Sequence, residues 1–282
     1  MVAKPKELMF GPSGIPHGAE PRDLMTGFSH LKKLGLSCNE VLFVHSVFLK
    51  REDAPQVKES AEKNGIFLTA HGSYYINLNA AEKQKVGASK GRILQACRIG
   101  HVAGISSVTF HPAFYLKQEP KIVYDKVKVE MKKIVDELQD EGVDVWVRPE
   151  TTGKPTQFGT FDELLKLSSE LEQVLPCIDF SHIHARNNGG HNSYEEFKEL
   201  LSKYENVLGR EALNNMHIHL SGIEYGEKGE KHHLNLQDSD MQYEELARVL
   251  KEFKVKGCLQ IESPNQEDDA LLMQKVYKKV KG

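Results

Sequence analysis

Cysteine is scarce in this 282-residue chain: Cys38, Cys97, Cys177 and Cys258 are the only four, and no two have C-x-x-C spacing. That spacing rules against a zinc ribbon or a thioredoxin-type pair, and so few thiols in so long a chain rule against a disulfide framework. Reduced, mostly buried thiols in a cytoplasmic protein are the expectation. Long apolar runs are missing as well, none approaching the roughly 20 residues of a membrane span. The opening MVAKPKELMF has no apolar core of the secretory kind. No membrane partner is therefore expected. An excess of one charge is also lacking: 37 Lys and Arg face 40 Asp and Glu, a formal net charge of -3. The bare chain is no obvious polyanion binder, although bound divalent cations do not enter that count. There is no low-complexity tract and no linker-like shift in composition.

What remains is ordinary globular material, 39% hydrophobic and 27% charged. Eight short apolar or β-branched runs each end in a polar or Gly/Pro break. They are LMFGPSG (8–14), EVLFVHS (40–46), IFLTAHGS (66–73), SSVTFHPA (106–113), VDVWVRPETT (143–152), VLPCIDFSH (174–182), MHIHLSG (216–222) and GCLQIESP (257–264). Helical patterns lie between them. Residues 120–141 carry Val127, Met131, Ile134, Val135 and Leu138 on one stripe. Residues 161–172 and 241–253 repeat the scheme, and 266–280 form a closing helix. The pattern is weaker at 193–205, and Gly87 and Gly91 interrupt 80–103. Eight strand–helix units match a (β/α)8 TIM barrel, which needs about 250 residues. An open doubly wound sheet is the rival, but no G-x-G-x-x-G follows the first strand. A single barrel domain over 1–282 is the expectation.

The chain has 13 histidines, and their positions matter more than their number. The third run ends in His71, the fourth in His111 and the fifth in Glu150. The sixth ends in Asp179 and His182, the seventh in His217 and His219, the eighth in Glu262. Any one of these is unremarkable, since strand-end histidines and loop carboxylates are common. Six successive strand ends with a potential metal ligand are not, because in a barrel those ends converge on the face that builds the active site. Imidazole plus carboxylate without thiolate suits Zn, Mn or Fe. One catalytic zinc takes three protein ligands; the surplus here suits two or three ions sharing carboxylates, and close metal pairs suit phosphoryl chemistry.

At this point the chain resembles the endonuclease IV family of abasic-site endonucleases. The resemblance runs from the third strand to the C-terminus through AHGSYYINL (70–78), FHPA (110–113), PETTG (149–153), CIDFSHIHA (177–185), HLSG (219–222), GEKHH (229–233) and IESPN (261–265), in family order. It implies three zinc ions. One is held by His71, His111 and Glu150. A second is held by Glu150 as bridge, Asp179, His219 and Glu262, with His217 as the alternative to His219. A third is held by His182, Glu230 and His232, with His233 as the alternative to His232. The family has Asp where this chain has Glu230. GPSGIPH (11–17) departs from the family's opening, and the family's early-loop arginine has no counterpart. Tyr74 matches a position that wedges into the duplex beside the lesion.

The implied activity is hydrolysis of the phosphodiester 5′ to an abasic site in duplex DNA. Its products are a 3′-hydroxyl and a 5′-deoxyribose phosphate, with Glu150 the catalytic bridge and the protein a monomer. The alternative is a single-metal sugar isomerase or epimerase of the same barrel superfamily, which needs only Glu150, Asp179, His219 and Glu262. A non-catalytic DNA-binding module fits poorly, because such modules show basic stripes.

Overall fold

Each apolar run becomes a parallel strand because both of its faces are covered, one by the barrel interior and one by helices. A computed structural model describes residues 5–281. The staves are β1 (Leu8–Pro12), β2 (Cys38–Leu42), β3 (Phe67–His71), β4 (Ile105–Phe110), β6 (Trp146–Pro149), β8 (Cys177–Asp179), β9 (Met216–Leu220) and β12 (Gly257–Ile261). They pair in two sets, β1-β12-β9-β8 and β2-β3-β4-β6. Parallel bridges join the sets at both seams: Ser13 with Glu40, and Val147 with Val174 and Glu150 with Cys177. The result is a closed (β/α)8 TIM barrel. Two short antiparallel pairs, β5 (Ala113–Phe114) with β7 (Gln157–Phe158) and β10 (Gly222–Gly226) with β11 (Gly229–Leu234), follow the C-terminal ends of the staves.

The helices are α1 (Leu24–Leu34), α2 (Ala54–Asn64), α3 (Lys83–Val102), α4 (Pro120–Asp140), α5 (Phe161–Glu170), α6 (Phe180–Arg186), α7 (Tyr194–Leu208), α8 (Arg210–Leu213), α9 (Tyr243–Glu252) and α10 (Glu267–Lys279). The stripe expected on α4 is buried in full, from Val127 to Leu138. Capping boxes fix the starts of α5 (Thr160 with Glu163) and α7 (Ser193 with Glu196), each satisfying otherwise orphaned N–H groups. Against expectation, Gly87 and Gly91 do not interrupt α3, which is continuous. A Cβ at either would meet nothing within 4 Å, so both lie in open space on the helix surface. Their cost, about 1 kcal/mol each relative to Ala, is offset by burial of Ile93, Leu94, Ala96 and Cys97 on the other face.

The second stave also differs from expectation, beginning at Cys38 rather than residue 40 and ending at Leu42. Pairing with β3 starts at Cys38–Phe67, and the polar Asn39 is tolerated because its amide donates to the carbonyls of Pro12 and Gly14 at 3.0 and 2.8 Å. Gly257, with φ at +130°, permits β12 to approach β9: a Cβ there would lie 1.9 Å from the Met216 carbonyl oxygen. All four cysteines are buried and unpaired, and burial pushes the thiols of Cys97, Cys177 and Cys258 up to about 12. Among the described residues no helix is long and apolar enough to cross a membrane.

Candidate metal centre

The staves deliver the polar side chains to one end of the barrel. His71 closes β3, and His111, Glu150 and Glu262 directly follow β4, β6 and β12. Asp179 closes β8 and caps α6, accepting from the His182 N–H at 2.8 Å, which fixes both residues at once. Glu150 is the hub. Its fully buried carboxylate has His71 Nε2 at 3.2 Å, His111 Nε2 at 3.5 Å, His182 Nδ1 at 3.2 Å and His219 Nδ1 at 3.3 Å.

Four groups of donor atoms form, each with its atoms within 4.8 Å of one another: three of histidine and carboxylate, namely His71, His111 and Glu150; Glu150, Asp179, His219 and Glu262; and His182, Glu230 and His233; and a wholly buried one of Cys177, His217 and His219. The first two share Glu150, as a bridging ligand requires. The donor chemistry fits divalent zinc or a comparable ion. A second observation supports the fit: Glu150 Oε2 and Asp179 Oδ2 are buried without a well-directed hydrogen bond, the kind of orphaned oxygen that a cation satisfies.

The electrostatics show how strongly these groups depend on opposite charge. Burial would raise Glu150, but His111 and His219 outweigh it and hold the carboxyl well below its usual range. Burial would lower His71, but the hydrogen bond and charge of Glu150 hold it at about 9. Glu262 is held at about 2, chiefly by His219 against burial. Asp179 goes the other way, raised by burial. A cation that displaces the imidazole protons takes over the role of neutralising these carboxylates.

One expected ligand is displaced. His232 is turned outward, exposed, with Nε2 3.4 Å from Glu224, and His233 occupies the third group, its ring 5.7 Å from that of His182. The reason is a bulge in the β10–β11 pair. His233 lies opposite Ile223 and Glu230 opposite Tyr225, so the extra residue on β11 breaks the simple alternation and puts Glu230 and His233 on one face. His233→Ala is accordingly expected to remove about one metal equivalent per chain while His232→Ala leaves the metal content unchanged; elemental analysis of the purified variants checks this, and the opposite pattern would return His232 to the site.

His217 is not at the mouth. It lies deeper in the barrel, with Nε2 3.1 Å from Glu40 and Nδ1 3.0 Å from Ser107 Oγ, and burial pulls it down to about 4. Glu40 itself was not anticipated from sequence. It is fully buried, and the charge and hydrogen bond of His219, with His217 close by, overcome burial to hold it well below the carboxylate range. Tyr74 is exposed at the mouth, its ring edge-on to His71 at 5.6 Å and to His45 at 6.1 Å. Tyr75 beside it and Phe48, on the loop after β2, are exposed too. Two aromatics in succession within a polar loop were the available signal for Tyr75.

The sequence model of the xylose isomerase-like TIM barrel family matches residues 28–280. The chain belongs to this family. A protein of Methanocaldococcus jannaschii described as uncharacterized is 45% identical over 96% of this chain and 97% of its own. A probable endonuclease 4 of Enterococcus faecalis is 24% identical over 74% of this chain and 70% of its own. Two solved structures superpose closely. A D-tagatose 3-epimerase-like protein gives a TM-score of 0.73 at 16% identity, covering 96% of both chains. Endonuclease IV from Thermus thermophilus gives 0.71 at 20% identity, covering 96% of this chain and 97% of its own. At such identities the superpositions describe the barrel and leave the chemistry to the side chains.

Proposed function

We propose that this barrel is a metal-dependent endonuclease that hydrolyses the phosphodiester 5′ to abasic sites in duplex DNA, a step of base excision repair. The observation that carries the reading is the presence of three adjoining donor groups where a single-metal sugar enzyme needs one. The similarity to a probable endonuclease 4 supports it. In this reading His71, His111 and Glu150 hold one ion, Glu150, Asp179, His219 and Glu262 a second, and His182, Glu230 and His233 a third. Three zinc ions, or Mn or Fe at some positions, would activate water near neutral pH and offset charge on the scissile phosphate. They would also reverse the sign of the chain's formal charge of -3 at the mouth.

The chain's own residues do the rest. Glu150 spans two groups and holds them at a fixed separation. Asp179, tied to the His182 N–H, keeps the second and third groups in register. Tyr74, exposed beside His71, offers an aromatic face to the gap left by a missing base, where extrusion of the sugar breaks no base pair. The product is a 3′-hydroxyl and a 5′-deoxyribose phosphate.

A second reading, a single-metal sugar isomerase or epimerase, is favoured by one observation: Glu150, Asp179, His219 and Glu262 form a complete four-ligand set on their own. The two readings part in one assay. Zinc-loaded protein is expected to nick an abasic duplex on the 5′ side, to leave an end that a polymerase extends, and to lose activity slowly under strong chelation. Intact abasic DNA alongside interconversion of ketose epimers would replace the nuclease with the sugar enzyme.

A further inference from the structure

Behind the groups that face the mouth lies a layer of buried polar side chains that the proposed hydrolysis does not use. Glu40, in the middle of β2, is fully enclosed. It accepts hydrogen bonds from Ser13 Oγ at 2.7 Å and Thr69 Oγ1 at 3.4 Å, and it faces His217 Nε2 at 3.1 Å and His219 Nε2 at 3.2 Å. Three directed donors, Ser13, Thr69 and His219, fill most of the roughly four lone-pair positions of a carboxylate, with His217 alongside. Ser107 Oγ closes the layer behind His217 at 3.0 Å, and Gln260 donates to Thr69 Oγ1 at 3.1 Å. A buried carboxylate without a lysine or arginine partner is costly to keep. Ordinary barrel packing would fill this place with a branched apolar side chain.

The geometry around His219 shows what Glu40 does. The imidazole stands between two sets of carboxylates. Nε2 points to Glu40, whereas Nδ1 lies 3.3 Å from Glu150 and 3.5 Å from Glu262, the two glutamates of the four-residue group. A neutral imidazole carries one proton, and the partner of one nitrogen decides the state of the other. We propose that Glu40 is a positioning residue of the metal centre: by accepting the Nε2–H of His219 it holds the ring in the tautomer whose Nδ1 lone pair faces Glu150 and Glu262, and so strengthens that group's hold on a divalent cation. His217 and Ser107 serve Glu40 in turn. A neutral His217 accepts the Ser107 hydroxyl at Nδ1 and sets Nε2–H beside the carboxylate at 3.1 Å, off the line of a directed hydrogen bond, which braces Glu40 without adding charge. Carboxylates placed behind ligating histidines in this way raise ligand basicity and fix ring orientation.

This inference rests on the metal reading of the same site but not on the substrate, so the test reads zinc directly. Zinc affinity is measured by competition with a chromogenic chelator for the unmodified protein, Glu40→Gln and Glu40→Met, with thermal melts alongside. Glu40→Met is expected to lose roughly 10- to 100-fold in affinity, and Glu40→Gln, whose amide oxygen still accepts from Nε2–H, to keep most of it. Equal affinity in all three proteins overturns the inference and leaves the metal reading standing. No zinc bound by the unmodified protein overturns both. Should Glu40→Met fail to fold, long-range proton–nitrogen spectra of the zinc-loaded unmodified protein decide: His219 should carry its proton on Nε2 and metal on Nδ1, and the reverse overturns the inference. A further ion held by Cys177, His217 and the Nε2 of His219 overturns it too, because that nitrogen could not then donate to Glu40.

Discussion

Glu150→Gln is expected to lower nicking of an abasic duplex by about a thousandfold or more, about 4 kcal/mol of transition-state stabilisation. The substitution keeps the volume of the side chain and removes the one charge that two donor groups share. Four imidazoles lie within 3.2 to 3.5 Å of this carboxylate, so its loss reaches every group at once. The barrel should survive, because the imidazoles that lose their counter-charge can shed their protons rather than remain as unpaired buried cations. Circular dichroism and a thermal melt test the fold, elemental analysis tests the metal, and a gel assay tests turnover. Near-normal nicking with full metal content would remove Glu150 from its bridging place.

The second large effect separates the two proposed readings. His111→Ala is expected to cost one metal equivalent per chain and about a hundredfold in nicking, with little change in stability. The side chain is only partly buried, 25% exposed, so its removal opens no cavity in the core. His111 belongs to the group with His71 and Glu150 and lies outside the four-ligand set sufficient for a sugar enzyme. Undiminished nicking in this variant would remove the first metal group from the mechanism. Epimerase activity that survives the substitution, with no nicking in either protein, would assign the barrel to sugars.

The barrel was legible because its strands are short, apolar and punctuated, and because all eight overlap the runs from Leu8 to Ile261, the second beginning two residues early. Errors arose where tertiary contact overrode a local rule. Gly87 and Gly91 weaken a helix in isolation, but α3 is held by its opposite face. Asn39 argues against a strand until its amide finds two backbone carbonyls. His71, His111, Glu150, Asp179 and Glu262 could be read from sequence because each lies at a strand end, where position alone implies convergence; Glu230 and the adjacent histidines came only from the family resemblance. Glu40 could not, and His217, although named as a candidate, could not be told from His219 as a residue set below the mouth. They lie within strands, where period-two alternation leaves open which face is the interior, and a glutamate in CNEVL reads as easily as a solvent-facing residue. Their role depends on contacts between β2, β4 and β9 that no local pattern encodes.

The bulge in the β10–β11 hairpin has a consequence for how robustly the third donor group is specified. With regular pairing, Glu230 and His232 share a face; with the extra residue, Glu230 and His233 do. Two adjacent histidines therefore make the hairpin indifferent to a slip of one residue, since either registry presents an imidazole inward beside Glu230. The doublet acts as redundancy against misalignment, in the one donor group that depends on an appended hairpin rather than on a stave of the barrel.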